Sequence, residues 1–334
     1  MSLNDIAYSV LDLAHARIDA SYGDAYAGMV DSARHADALG YQRYWLAEHH
    51  SMDGIGSSAT SVLIGHIAGA TKRIRVGAGG IMLPNHAPII IAEHFGTLAA
   101  LYPDRIDLGV GRAPGSDGAT MRALRRDLTS GVDDFPEQLA ELQYFLDDAR
   151  PNQNVIAVPG QGSHVPIWLL GSSLYSAQLA AKRGLPFAFA SHFAPRLMME
   201  ALHVYRAGFQ PSDVLDKPYA AIGVPVAAAS TDAQAAHLFT TAQQSILALL
   251  RGEHLRLRPP VASMEDLWSP IEAQHVRDFH QVAVVGSPST VKNKLQALAA
   301  ETGADEFIFA SSFFAPQDKL NSLQIVAEQM RGSV

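Results

Sequence analysis

Four short strings hold most of the side chains that could do chemistry: Glu48-His49-His50, Gly77-Ala78-Gly79-Gly80, Gly109-Val110-Gly111-Arg112-Ala113-Pro114-Gly115 and Gly171-Ser172-Ser173-Leu174-Tyr175-Ser176. In the last, a glycine lets the backbone approach a ligand closely, and a helix opening within a few residues presents unpaired N–H groups. Serine hydroxyls beside such a helix start form an anion site. An ordinary N-cap by Ser172 or Ser173 would account for the same residues. Arg112 adds a rigid fork of donors suited to a phosphate, flanked by glycines. Its plainer role would be a salt bridge to Asp107 or Asp117. An arginine and a helix N-terminus at the ends of neighbouring strands favour a phosphate-bearing ligand. Gly109-Val110-Gly111 lacks the spacing of a dinucleotide fingerprint.

Glu48-His49-His50 is the densest polar cluster. Imidazoles and a carboxylate could hold a metal, with Asp53 nearby, but adjacent residues on an extended chain point to opposite sides, so His49 and His50 do not readily share one ion. There is no HExxH and no cysteine, and no metal is expected. General acid–base work by one histidine fits better, since imidazole titrates near neutrality; a histidine that only supports the loop is the alternative. The glycines of Gly77-Ala78-Gly79-Gly80 interrupt an apolar run and suggest a floor for a flat ring packed on backbone.

These strings need strand ends to hold them. A β-rich run followed by a longer amphipathic stretch recurs along the chain. Strands are predicted at Ile6–Leu13, Arg43–Glu48, Ile74–Leu83, Ile106–Gly111, Pro166–Leu170, Pro186–Ala190, Tyr219–Ala229, Val282–Val285 and Glu306–Ala310. Helices are predicted at Asp24–Leu39, closed by Gly40, then Ser57–Ala70, Pro88–Leu101, Ala119–Leu128, Pro136–Asp148, Ser173–Arg183, Arg196–Phe209, a long one beyond Thr231, Ser289–Glu301 and a last one to Gln329. The alternation implies a parallel sheet with right-handed crossovers. About eight units over 334 residues predict one (β/α)8 TIM barrel spanning 1–334, with insertions after strands four and seven, the latter at Gly252–His280. In such a barrel the working residues follow the strands, as all four strings do.

The composition excludes other classes. A net charge of −8 argues against nucleic acid and an anionic membrane surface as partners. The absence of cysteine removes disulfides, zinc thiolates and a thiol nucleophile, and is compatible with a cytoplasmic protein. No signal peptide is read in Met1–Leu13. Apolar runs such as Ile89–Ala92 are broken by Glu93, His94 and Asp104 before a bilayer could be spanned.

Taken in order, the strings resemble the bacterial luciferase-like flavin monooxygenases over Ile6 to about Met330. Val76-Gly77-Ala78-Gly79-Gly80-Ile81-Met82-Leu83-Pro84-Asn85-His86-Ala87-Pro88, then Ala92-Glu93, Gly109-Val110-Gly111-Arg112 and Val285-Gly286-Ser287-Pro288-Ser289-Thr290-Val291 carry the likeness. The chain looks most like single-gene relatives of unassigned substrate. The resemblance implies reduced FMN supplied by a separate flavin reductase, dioxygen, a small organic substrate oxidised through a C4a-peroxyflavin, and a homodimer. It implies a phosphate held by Arg112 and Gly171–Ser176, and a non-prolyl cis peptide at Gly79-Gly80 beneath the flavin ring. It also implies His49 as the catalytic histidine and Glu48 as the carboxylate beside the flavin. Gly111 stands where the luciferases have a reactive cysteine. A second phosphate arginine is open among Arg122, Arg125 and Arg126. The strand-seven insertion matches the family's lid and carries Arg251, His254, Arg256 and Arg258, either steering an anion or simply solvated. A deazaflavin-dependent oxidoreductase and a non-catalytic flavin-binding protein share the pattern.

Overall fold

The computed structural model describes residues 2–113, 118–124 and 134–331. Nine strands alternate with helices: β1 Ala7–Asp12, β2 Arg43–Leu46, β3 Arg75–Met82, β4 Ile106–Gly111, β5 Ile167–Gly171, β6 Phe187–Phe189, β7 Ala220–Ala228, β8 Val284–Gly286 and β9 Glu306–Ala310. All pairings between these strands are parallel. β1 to β7 follow one another around a ring that β9 closes by pairing with both β7 and β1. This is the expected (β/α)8 TIM barrel, with β9 as its eighth stave.

The ninth β run is thereby explained. β7 is nine residues long, and its first part pairs with β6 and β9. Val226–Ala228 overshoots the ring and pairs only with β8, which lies outside the barrel. Periodicity alone does not say which of the last two β runs closes the ring, because both are short and apolar.

The helices are α1 Tyr22–Ala38, α2 Thr60–Ala70, α3 Pro88–Leu101, α4 Gly118–Ala123, α5 Phe135–Leu146, α6 Leu174–Arg183, α7 Met198–Ala207, α8 Asp232–Arg251, α9 Pro270–Phe279, α10 Pro288–Thr302 and α11 Pro316–Arg331. α1 starts earlier than the sequence suggests. Ser21 accepts from the Asp24 N–H and Asp24 returns a bond to the Ser21 N–H, a reciprocal cap. Among the described residues no helix is long and apolar enough to cross a membrane.

Two cores result from strand alternation. Outward residues such as Tyr44, Phe187 and Phe307 pack with Phe95 and Val326 of the helices. Inward residues Leu11, Trp45, Trp168, Ala188, Ala221 and Ile308 fill the barrel's middle, where the two indoles meet edge-on with centroids 5.0 Å apart. Below them, buried charges close the N-terminal end. Arg43 reaches Asp107 at 2.7 Å and Glu306 at 3.1 Å, and Arg75 reaches Asp107 at 2.6 Å. Ser9 and Tyr219 also donate to Glu306. Two arginines against two carboxylates leave no uncompensated charge, the condition under which buried ions are tolerated. Above the indoles the inward positions shrink to Ala47, Gly79, Ala190, Gly223 and Ala310, and the half-exposure of Gly79, Ala190 and Ala310 there marks a well at the C-terminal mouth.

Candidate active site

At the end of β2 alternation separates three neighbours. Trp45 and Ala47 face the barrel interior, so His49 continues on that side while Glu48 and His50 turn away. Glu48 is 2% exposed. Its Oε1 lies 2.8 Å from both His50 Nε2 and His86 Nε2, and its Oε2 accepts the Met82 N–H at 3.0 Å. Burial alone would raise this carboxyl. The bonds from His86, His50 and Met82 outweigh it and hold Glu48 below the usual carboxylate range. Glu48 therefore ties the end of β2 to the end of β3 through His86.

That arrangement adds a group the sequence reading did not weigh for a metal. His49 and His50 indeed diverge, but His86 joins Glu48 and His50, and the three donor sets lie within 4.8 Å of one another. Each already has a hydrogen-bond partner in the trio.

His49 stands apart from this trio. Its Nδ1 is buried without a hydrogen-bond partner. Burial lowers its pKa, helped by His50 and opposed by Glu48, so the ring is neutral at neutral pH and able to accept a proton. Two further imidazoles sit close enough to feel it: His15 after β1 and His192 after β6, each pushed by burial down to about 4.

On β3, a Cβ added to Gly79 would lie 2.8 Å from Leu11 Cδ1 and 3.0 Å from Trp45 Cβ, so only glycine fits above the inner core. The Gly79–Gly80 peptide is cis. The pairing of β3 with β4 shifts register between Ala78 and Ile81. Ala78 itself is fully buried on the outward side; Gly79 and Gly80 are half-exposed, with Gly79 above the inner core and Gly80 close against the Gly109 backbone of β4.

At β4 and β5 the sequence-predicted phosphate residues come together. The Arg112 guanidinium lies 4.3 Å from the centroid of Tyr175, in the first turn of α6. Its suggested salt bridge to Asp107 does not form, because Asp107 points to the barrel's other end and is engaged by Arg43 and Arg75. Asp117 lies outside the described residues. The ordinary N-cap is also missing: Ser173 occupies that position with extended backbone (φ −135°, ψ 162°) and its side chain makes no capping bond. Ser176 Oγ turns back to the Ser173 carbonyl at 2.9 Å, in the space a Cβ on Gly171 would need. Ser172 is half-buried beside them. A helix start left uncapped, under a guanidinium with no carboxylate partner among the described residues, can bind a phosphate. Arg122 is exposed on α4, and Arg125 and Arg126 lie outside the described residues.

The chain after β7 closes one side of the mouth. Leu257 bonds to the backbone of Ala16 and Ile18, and Leu255 N–H donates to Asp53 at 2.9 Å. Its cations are spoken for. Arg251 pairs with Glu272, Arg258 with Glu253 and His254 with Asp53, while Arg256 donates to the carbonyls of Arg17 and Ala20. The segment is pinned by these contacts, with Arg251, Arg258 and His254 each set against a carboxylate.

Sequence reading missed His86, His15 and His192. His192 follows directly after β6, the same strand-end position that singled out the four strings. His86 sits in a quoted string without a role, since its partner is thirty-eight residues away.

Comparison with known proteins decides the family. A model described as luciferase-like monooxygenase matches residues 6–306. A luciferase-like monooxygenase of Escherichia coli (strain K12) is 50% identical over 99% of this chain and 100% of its own. The chain belongs to the luciferase-like monooxygenase family. Another member, the uncharacterized protein YvbT of Bacillus subtilis (strain 168), is 52% identical over 97% of this chain and 96% of its own. Among solved structures, apo-MsnO8 superposes with a TM-score of 0.86 at 33% identity, covering 97% of this chain and 98% of that one. The family's barrel is shared at 19% identity by the FMN-bound oxygenating constituent of 3,6-diketocamphane monooxygenase (TM-score 0.76; 97% of each chain). It is shared at 12% by an F420-dependent secondary alcohol dehydrogenase (TM-score 0.68; 100% of each).

Proposed function

We propose that this protein is an FMN-dependent monooxygenase that takes reduced FMN from a separate flavin reductase and oxidises a small organic substrate with dioxygen. The observation that carries the reading is Arg112, without a carboxylate partner among the described residues and stacked on Tyr175 at the uncapped start of α6, at the rim of a well floored by Gly79 and Gly80. A phosphate at that rim and a flat ring on that floor describe one ligand. Bound reduced flavin supplies two electrons to dioxygen, so that one oxygen atom enters the substrate and the other leaves as water.

The chain's own residues do the rest. Arg112 and the α6 amides fix the phosphate, with Gly171, Ser172, Ser173 and Ser176 shaping the turn around it. Gly79 and Gly80 leave room for the ring. Neutral His49, on the inward side of β2, accepts or returns a proton at the reacting face. Glu48 holds His50 and His86, and with them the strand ends that flank His49. The segment pinned at Asp53 and Ala16 excludes water from one side of the mouth.

A cytoplasmic homodimer completes the reading. α2 and α3 expose Val62, Ile90 and Leu101, apolar side chains that a second copy would cover. Titration with FMN and with a deazaflavin cofactor, followed by a reductase-coupled assay for oxygen incorporation, tests the proposal. Tight FMN binding with oxygen-dependent product supports it. Selective binding of the deazaflavin, or FMN binding with no oxygenation of any member of a broad substrate panel, overturns it.

A further inference from the structure

The ring order sets β7 opposite β3 and β6 opposite β2. The wall facing the Gly79–Gly80 floor therefore comes from β6, β7 and β9, and its inward positions are Ala188, Ala190, Ala221, Gly223, Ile308 and Ala310. A histidine side chain stands against this wall. A Cβ on Gly223 would point inward like that of Ala221, and the space it would take is filled by the His192 imidazole. The absent side chain on β7 is what admits the ring to the well.

The backbone on both sides of His192 is tied down. Ser191 Oγ donates to the Gly223 carbonyl at 2.7 Å, Ala190 N–H to Gly171 at 2.9 Å, and Phe193 and Ala194 N–H to Ala190 at 3.0 Å each. Yet the imidazole makes no hydrogen bond to any described residue, and its Nδ1 is buried without a partner. Leaving a buried N–H unpaired is costly, so the proton of the neutral ring belongs on Nε2. A donor on a tied backbone, with no acceptor among the described residues and across the well from His49, awaits a ligand.

We infer that His192 contacts the substrate, donating from Nε2 to a neutral acceptor atom and orienting it between the flavin floor and the β6–β7 wall. The inference rests on the flavin reading of the site. The low basicity of the ring, about 4, keeps it uncharged at neutral pH and suits a carbonyl or similar acceptor better than an anion.

The test uses two isosteres, cyclohexanone and methylenecyclohexane, which differ in having or lacking an acceptor. Trp45 and Trp168 lie directly below the well, so their fluorescence reports entry with or without FMN present. Replacing His192→Ala should weaken cyclohexanone by about three- to tenfold, the worth of one hydrogen bond, and leave methylenecyclohexane within about twofold. His192→Gln keeps a donor and should recover part of the loss. Gly223→Ala, which displaces the ring without changing its chemistry, should reproduce the alanine pattern. Equal effects on both probes, an unchanged cyclohexanone affinity, or no cyclohexanone binding by the unaltered protein would each overturn the assignment. FMN titration of the same proteins separates the two readings. Failure to bind FMN sinks the flavin reading even where the selectivity holds, and FMN binding without the selectivity sinks only the role of His192.

Discussion

Replacing Arg112→Ala should weaken FMN without weakening riboflavin. Arg112 touches the aromatic face of Tyr175 and pairs with no carboxylate among the described residues. Among those residues its charge is unspent, so a phosphate is expected to gain the whole contact. A charge-assisted hydrogen bond is worth ~1.5–3 kcal/mol, which predicts a Kd about 10- to 150-fold higher. Riboflavin lacks the phosphate and should bind both proteins alike. Arg112→Lys keeps the charge but loses the planar fork and the stacking, so it should fall between the two. Tyr175→Leu removes only the stacking, worth ~0.5–1 kcal/mol, or about two- to fivefold. Quenching of flavin fluorescence, read with both ligands and at two salt concentrations, measures all four proteins. If FMN binds Arg112→Ala unchanged, or if riboflavin loses as much as FMN, the phosphate is not held at this rim.

Four further outcomes are expected. His49→Ala should retain FMN affinity while turnover falls by roughly 10²–10⁴, measured in the reductase-coupled assay. Gly79→Ala should cost ~1–3 kcal/mol, read as a lower unfolding midpoint, because its Cβ meets Leu11 and Trp45 above the packed indoles. Burial lowers His15, His192 and His280 from 6.5 to about 4, so the unfolded chain binds protons more readily over that interval. Denaturant midpoints should accordingly fall as pH drops from 6.5 towards 4, and a flat or rising profile would contradict it. Dialysis against EDTA should leave the unfolding midpoint and FMN affinity unchanged, since Glu48, His50 and His86 satisfy one another; a loss restored by added zinc would show a bound ion instead.

What the sequence discloses depends on how local the cause is. Strand-to-helix alternation names the barrel, and strand-end position picks out Arg112, Gly171–Ser176 and His49, because both follow from short-range pattern. The closing stave is not local. Val284–Gly286 and Glu306–Ala310 are equally plausible until the overshoot of β7 separates them. The Glu48–His86 bond and the Arg43–Asp107–Glu306 plug join residues far apart in sequence, and no periodicity marks them. Asp107 shows the difficulty: five residues from Arg112, it serves the opposite end of the barrel because it is the second residue of β4 while Arg112 follows the strand's last. The charges of the segment after β7 read as a cationic lid in one dimension, and only folding supplies their partners.

The charged plug has a kinetic consequence. With Arg43, Arg75, Asp107 and Glu306 sealing the N-terminal end, the well is a cul-de-sac, and everything that enters must leave by the same door. On the flavin reading proposed above, a ring seated deepest, against Gly79 and Gly80, would arrive first and depart last. Traffic through the mouth would then be a stack, with an organic substrate queuing behind the cofactor.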